Sequence, residues 1–422
     1  MFQVPRGTRD FTSDEMYIRD YVEKNMKETF ASFGYVQIQT PTFENLELFT
    51  AKSGGSIIDE IYDFSDKGGR QLALRPELTA PVIRFYVEKM QMEPKPLKLF
   101  YFGNCFRYDR PQKGRYREFK QAGCELIGTD KPEAYAELIA LAYNLLRNVG
   151  LKNIVLNIGN LTLINIIFKK FCLTKKCIDY ILPLIDKSMF EDVRVVLNEE
   201  GIKKEDSEVI LELLQTSDIN KIKKYTKDDE SAIKEIQNLN SIINFLENSF
   251  KITSYKIKMS IVRGLEYYKG LVFEIDAPVL GAEKQICGGG VYDLVGLFGG
   301  RDTPTSGFAV GFDRTIIALE AKEFEFKKQK VDVYIIPINE EMIEKSFEIA
   351  QKLRMQGVIT EVDLLRRGIG KSLKHASSKN TKKAIIIGPD ELNKDSVTLR
   401  DMQTGEQNLV KLSDIIIKIK DS

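Results

Sequence analysis

The chain has 422 residues, with 62 lysines and arginines against 61 aspartates and glutamates and a formal net charge of +1. That balance excludes a global basic field, so any nucleic-acid contact must come from local patches; 43% hydrophobic and 29% charged residues exclude wholesale disorder and predict two or three domains. A single histidine, His375, excludes His-based triads and HExxH zinc sites, and leaves Arg, Glu, Tyr and Gln to do the chemistry.

Cys105, Cys124, Cys172, Cys177 and Cys287 lie scattered with no CxxC and read as reduced thiols. Cys172 and Cys177 lack the two further ligands that a zinc site needs, so no protein-held metal is expected. There is no 18-residue apolar run, and the start MFQVPRGTRDF lacks a signal-peptide core, which predicts a soluble, cytoplasmic protein with no membrane partner.

PRGTRDF (5–11) precedes an amphipathic helix beginning near Ser13, with Ser13, Asp14 and Glu15 as N-cap and acidic first turn, and ending at Gly34. A strand from Tyr35 to Gln39 is broken by Pro41, which reads either as a strand terminator or as a sheet-edge or subunit-contact residue, and a short helix follows. Residues 62–75 predict a hairpin turning at Gly68 and Gly69. Arg75, Glu77 and Thr79 then precede a helix from Pro81 to about Met90, where Glu77 and Thr79 serve equally as caps or as ammonium ligands.

The densest stretch is 99–128, LFYFGNCFRYDRPQKGRYREFKQAGCELIG, which predicts two strands joined by a basic turn. Strand alternation puts Arg117, Phe119, Gln121 and Glu125 on one face, with Ala122, Cys124 and Leu126 on the other. With Asp109 opposite Arg117, Arg107 falls across from Phe119 on that polar face. An arginine, a ring, an amide and a carboxylate on one face suit a pocket that grips an anion, stacks an aromatic ligand and reads polar atoms.

A helix over 132–149 and a strand over 154–158 come next, and then 161–250 turns wholly helical in pattern, its charged clusters reading as a solvated face or a nucleic-acid contact. Strand signals resume at 255–259 and in IVRGLEYYKGLVFEID, which carries Arg263, Tyr267 and Tyr268. The three glycines of CGGGVYDLVGLFGG (287–300) allow close backbone approach to a ligand, although they lack the spacing of a phosphate-loop fingerprint. SGFAVGFDRTIIALE (306–320) is a strand turning into a helix with Arg314 at the junction. After a charged linker, 324–330, the remainder alternates VDVYIIPI, a helix near 340–355, VITEVDL, a helix through 372–376, KAIIIG, VTLRDM and IIIKIK, a small α/β domain on a mixed sheet. Its LLRRGIGKSLKHASSKNTKK stretch reads as a solvated helix or an RNA-contacting face.

Taken together these motifs resemble the histidyl-tRNA synthetase family of class II (class IIa) aminoacyl-tRNA synthetases over nearly the whole chain. PRGTRDF resembles its N-terminal signature, GYVQIQTPTFE its motif 1, FRYDRPQKGRYREFKQAGCE its motif 2 and GFAVGFDR its motif 3, while RGLEYYKGLVFE and CGGGVYD are similar to its two histidine-specific motifs. The resemblance implies an α/β chain whose α+β catalytic core is built on an antiparallel sheet. That core spans residues 1–160 and 251–323, with a helical insertion at 161–250, the linker and an α/β anticodon-binding domain at 331–422.

It also implies roles. Arg107 holds the α-phosphate of ATP, Phe119 stacks on adenine, Arg314 covers the ring and reaches the γ-phosphate, and Asp109 and Arg115 belong to the same ATP site, Arg115 on the motif 2 loop near the phosphates or the tRNA acceptor end. Glu77, Thr79 and Gln121 bind the ammonium and carboxylate region of histidine, Glu125 and Tyr268 its imidazole, with Tyr267 and Tyr292 completing that pocket. Arg263 is the main catalytic cation, beside Arg107 and Arg314. The implied partners are ATP with Mg²⁺, histidine, tRNA(His) and a second copy of the chain. Asp109, Glu266, Leu78 and Val291 depart from the family's usual residues. The competing reading is a non-catalytic paralogue, such as a regulatory subunit of ATP phosphoribosyltransferase; such paralogues typically lack the C-terminal domain and erode the catalytic arginines.

Overall fold

The computed structural model describes residues 2–53, 55–110, 114–262, 268–326 and 331–420; Arg263, Glu266 and Tyr267 lie outside the described residues. The chain forms two units, residues 1–325 and 326–422.

In the first unit, helix α1 (Ser13–Ser32) is capped by Thr12 and not by Ser13, because Thr12 and Glu15 cap each other: the Glu15 carboxylate accepts from the Thr12 N–H at 2.7 Å while the Thr12 hydroxyl accepts from the Glu15 N–H. Gly34, at φ +78°, ends it as expected. Strand β1 (Val36–Gln37) is shorter than the expected 35–39, and Pro41 is followed by an unforeseen strand, β2 (Phe43–Asn45), before helix α2 (Leu46–Ser53). Strands β3 (Asp63–Ser65) and β4 (Gln71–Leu74) form the expected hairpin, and β2 adds to β4 to complete a three-stranded sheet. Helix α3 (Thr79–Lys89) follows, starting two residues before Pro81.

Strands β5 (Leu97–Phe106) and β6 (Glu118–Ile127) are the two arms of the basic hairpin. Helix α4 (Pro132–Asn148) and strand β7 (Val155–Asn160) lead into six successive helices: α5 (Leu161–Lys170), α6 (Lys175–Asp186), α7 (Phe190–Glu199), α8 (Lys204–Gln215), α9 (Ile219–Thr226) and α10 (Glu230–Asn248). Strands β8 (Tyr255–Ile257), β9 (Tyr268–Asp276), β10 (Gln285–Tyr292) and β11 (Thr305–Gly311) and helix α11 (Phe312–Glu320) return to the core. The large sheet runs β1-β5-β6-β11-β10-β9-β7-β8. Its interior pairs are all antiparallel, and the two parallel pairs, β1 with β5 and β7 with β8, lie at its edges.

The two sheet faces differ, as strand alternation requires. Phe30 of α1 packs on one, stacking on Phe100 at 4.8 Å and on Phe308 at 6.1 Å between ring centroids. On the other, α3 covers Leu99 and Tyr101 with Val82, Ile83 and Tyr86. The expected register is corrected here: Cys105, not Arg107, stands opposite Phe119, and the Arg107 N–H donates to the Arg117 carbonyl at 2.9 Å. A slip of two residues leaves every side chain on its face, so Arg107 and Phe119 still share one.

The second unit comprises β12 (Val333–Pro337), α12 (Ile343–Met355), β13 (Thr360–Val362), α13 (Ile369–Ser378), β14 (Lys383–Ile387), the short α14 (Pro389–Leu392), β15 (Ser396–Asp401), β16 (Gln407–Lys411) and α15 (Ile415–Lys420). Its sheet runs β13-β12-β14-β15-β16 and is mixed, parallel on one side of β14 and antiparallel on the other. IIIKIK is helix α15 and not a strand: Ile415 and Ile419, one turn apart, are buried against the sheet, and the last strand is the preceding QNLVK. At the other edge of the sheet, just after β13, Asp363 is buried, which alone would raise its pKa, but the Ser372 hydroxyl, the N–H groups of Leu365 and Arg367 and the Arg367 guanidinium hold it below the usual carboxylate value.

Candidate functional site

Below the basic turn, the sheet opens into a cavity of about 540 Å³ whose lining includes Arg107, Asp109, Arg115, Phe119, Gln121, Tyr268 and Arg314. The volume suits a small organic ligand. Arg107 is aimed by its Nε–H, which donates to the Pro76 carbonyl at 2.9 Å, and its guanidinium lies 5.3 Å from the centre of the Phe119 ring. Arg314, in the first turn of α11, donates from Nε to the Gly114 carbonyl at 3.1 Å and from Nη1 to the Gln285 carbonyl at 2.8 Å. Its Nη2 meets Glu283 Oε2 at 2.9 Å, and Arg115 Nε reaches the same oxygen at 3.2 Å.

The PRGTRDF segment supports this end of the cavity, a role its composition did not announce. Asp313 is buried beside Arg314, and its Oδ1 accepts from Arg9 at 2.8 Å and Arg19 at 2.6 Å while its Oδ2 accepts from the Lys120 N–H at 2.7 Å. The Arg9 guanidinium stacks 3.4 Å from the Tyr116 ring centre, and the Gly7 carbonyl accepts from the Arg117 N–H at 2.9 Å. Helix α11, strand β6 and the basic turn are thereby tied to the N-terminal segment.

The second group of expected residues lies deeper on the same face. Glu125 is 1% exposed, with Tyr101 donating to Oε1 at 2.8 Å and Tyr292 donating to Oε2. Burial pushes its carboxyl up to about 8, against the pull of the Tyr292, Tyr101 and Thr79 hydroxyls. Burial, followed by the neighbouring Glu125 charge, pushes both tyrosines well above their usual value and keeps them as donors. A Cβ on Gly307 would stand 1.8 Å from Glu125 Oε2, so the carboxylate fits only against a bare backbone. Tyr268 packs edge-on to Tyr292 with centroids 6.1 Å apart, linking this group to the cavity.

Gln121 accepts at Oε1 from the Cys105 thiol at 3.3 Å, and burial raises that thiol to about 12, so it remains S–H. Glu77 caps α3, accepting from the N–H groups of Thr79 at 2.7 Å and Ala80 at 3.1 Å. Of the three consecutive glycines, two are required by the sheet: a Cβ at Gly289 would lie 2.4 Å from the Gly307 carbonyl, and one at Gly290 would lie 2.5 Å from that of Leu271. Gly288 and Gly289 also line the cavity. Val291 is half-buried in β10, and Leu78 is buried under α3.

Comparison with known proteins bears directly on this arrangement. A family model described as Histidyl-tRNA synthetase matches residues 7–315, and one described as Anticodon binding domain matches residues 332–422. The chain belongs to the histidyl-tRNA synthetase family. A histidine–tRNA ligase of Methanocaldococcus jannaschii is 43% identical over 422 residues, spanning 98% of this chain and 99% of that protein. Among solved structures, that of apo S. aureus histidyl-tRNA synthetase aligns with a TM-score of 0.77 at 28% identity over all of both chains. That of histidyl-tRNA synthetase from Nostoc sp. PCC 7120 aligns at 0.85 over 100% of this chain and 99% of that one, at 23% identity, and shows the fold alone. Membership brings the activity with it: this is an aminoacyl-tRNA synthetase, a ligase of histidine and tRNA. Retention of the anticodon-binding domain counts against the non-catalytic paralogue. Arg263 and Tyr267 remain outside the described residues, and no described helix is long and apolar enough to cross a membrane.

Proposed function

We propose that the cavity binds ATP beside histidine and that the side chains gathered there divide the work between them. The observation that carries the reading is the shared sheet face: Arg107 over Phe119 at 5.3 Å, with Arg314 on the same cavity wall, and the Glu125–Tyr101–Tyr292 cluster deeper on that face. Adenine stacks on Phe119 and is covered by Arg314, Arg107 takes the α-phosphate, and Asp109 and Arg115 complete the ATP site. Glu77, Thr79 and Gln121 meet the ammonium and carboxylate end of histidine. Glu125, Tyr268 and Tyr292, with Tyr267, meet its imidazole. Neutral imidazole offers one donor and one acceptor, so a carboxylate and a hydroxyl complement it, and an apolar isostere would leave both unpaired.

In the reaction so read, a histidine carboxylate oxygen attacks the α-phosphorus, the bond to the bridging oxygen of the β-phosphate breaks, and pyrophosphate leaves with that electron pair. A terminal ribose hydroxyl of tRNA(His) then attacks the acyl carbon and AMP departs. The first step joins two anions, so fixed guanidiniums supply the electrostatic stabilisation, with Arg263 assigned between the two substrates. Mg²⁺ is expected on the triphosphate, where it neutralises phosphate charge. Glu274, on the cavity wall and accepting from Gln285 Nε2 at 2.8 Å, would be the carboxylate that helps hold that ion, with phosphate oxygens as its other ligands.

Residues 331–422 would read the anticodon, and the insertion over 161–250 would be a separate functional module of the catalytic unit. A homodimer in the cytoplasm completes the proposal. The dimer is supported by the edge position of β1 and by the exposure of Val36 on β1 and Phe43 on β2, 59% and 52%. The test of the site is Arg107→Ala: histidine-dependent exchange of pyrophosphate into ATP should fall ~10²-fold in kcat/KM for ATP. An unchanged value would remove Arg107 from the nucleotide site.

A further inference from the structure

Glu283 stands at the end of the turn before β10, in a stretch where neither hydrophobic pattern nor motif singles it out. One of its oxygens, Oε2, accepts from Arg314 Nη2 at 2.9 Å and from Arg115 Nε at 3.2 Å. The two arginines come from different elements, α11 and the turn between β5 and β6, and they converge on a single carboxylate. Arg314 donates from each of its three nitrogens to a protein acceptor, Gly114, Gln285 and Glu283, so three of its five N–H groups are engaged by the protein itself. A carboxylate oxygen offers a guanidinium the same charge-assisted geometry that a phosphate oxygen does.

We infer that Glu283 acts as a stand-in anion for ATP: it holds Arg115 and Arg314 together in the nucleotide-free enzyme and gives them up to phosphate oxygens as ATP enters. The inference rests on the reading that these two arginines belong to the ATP site. Two opposed effects follow from the contact. The carboxylate keeps two like charges beside each other without mutual repulsion, so the arginines wait in place. It also competes with the nucleotide, so each ATP that binds must first break the carboxylate contacts, and because the Gly114 and Gln285 carbonyls hold Arg314 in place without it, competition is the larger of the two effects. Because the Arg115, Arg314 and Glu283 side chains are 42%, 22% and 31% exposed, water screens the contacts and the competition is modest.

The sign of the effect sets this role apart from two others. A carboxylate that merely braced the turn would cost stability or turnover when lost, and one that helped bind Mg²⁺–ATP would weaken ATP binding when lost. A competitor does the reverse. The experiment is histidine-dependent pyrophosphate exchange by the full chain carrying Glu283→Gln, with ATP varied at fixed Mg²⁺. KM for ATP should fall roughly three- to tenfold, the range set by a partly exposed ion pair, with kcat and the KM for histidine within twofold of the parent. Glu283→Asp, which keeps the charge, should stay close to the parent, and Glu283→Ala should follow Glu283→Gln. An unchanged KM for ATP overturns the inference, as does a raised one, with or without a higher Mg²⁺ requirement. Failure of the underlying reading is distinguishable, since it would leave Arg314→Ala with the parent's KM for ATP and kcat.

Discussion

Glu125 is a carboxylate whose two oxygens accept from neutral hydroxyls, those of Tyr101 and Tyr292. Neutral donors do not offset desolvation fully, which is why its folded pKa stands near 8 instead of 4.5. The folded state therefore binds this proton more tightly than the unfolded chain does. The resulting stability is fully present below about 4.5 and is lost as pH rises through about 8. We predict that the ligand-free chain loses denaturation midpoint over that window and that Glu125→Gln flattens the loss; a parallel pH profile in the variant would contradict it. At this scale the sequence went far, because strand alternation alone put Arg107, Phe119, Gln121 and Glu125 on one face. It did not disclose Tyr101 as a partner of Glu125, nor Arg9 as a partner of Asp313 across 304 positions, because such contacts depend on which strands and segments meet.

The hairpin of β5 and β6 shows what an element can and cannot reveal. Its arms, its basic tip and its two faces follow from composition and period, whereas its register depends on where the turn closes, and it stands two residues from the one the sequence predicts. The same dependence on neighbours explains IIIKIK: six residues rich in β-branched side chains fold as a helix because the strand position they suit is already filled by β16. Between β6 and β11, Gly307 faces Glu125, and Cβ addition would bring the two within 1.8 Å. Gly307→Ala should cost on the order of 3 kcal/mol by forcing strand or carboxylate aside, and should raise the KM for histidine. Chemical denaturation and the exchange assay measure both; an unaltered midpoint with an unaltered KM would show that the sheet yields there freely.

Across the whole molecule the near-zero net charge of +1 is consistent with a protein that meets its anionic substrates through placed arginines and not through a broad field. The two-unit organisation was legible from the charged linker and the return of strand and helix signals after it, and the division falls at residues 325 and 326. The family matches divide the chain in nearly the same place, at 7–315 and 332–422. Less legible was the dependence of the Arg314 end of the cavity on the first eleven residues, since Arg9 meets Asp313 only once the chain has closed on itself. If one sheet face activates histidine with ATP, the intact chain exchanges pyrophosphate into ATP, an exchange to be measured with each of the standard amino acids supplied in turn. Exchange should depend on histidine alone; exchange driven by another amino acid, or equal exchange with none added, would contradict the account.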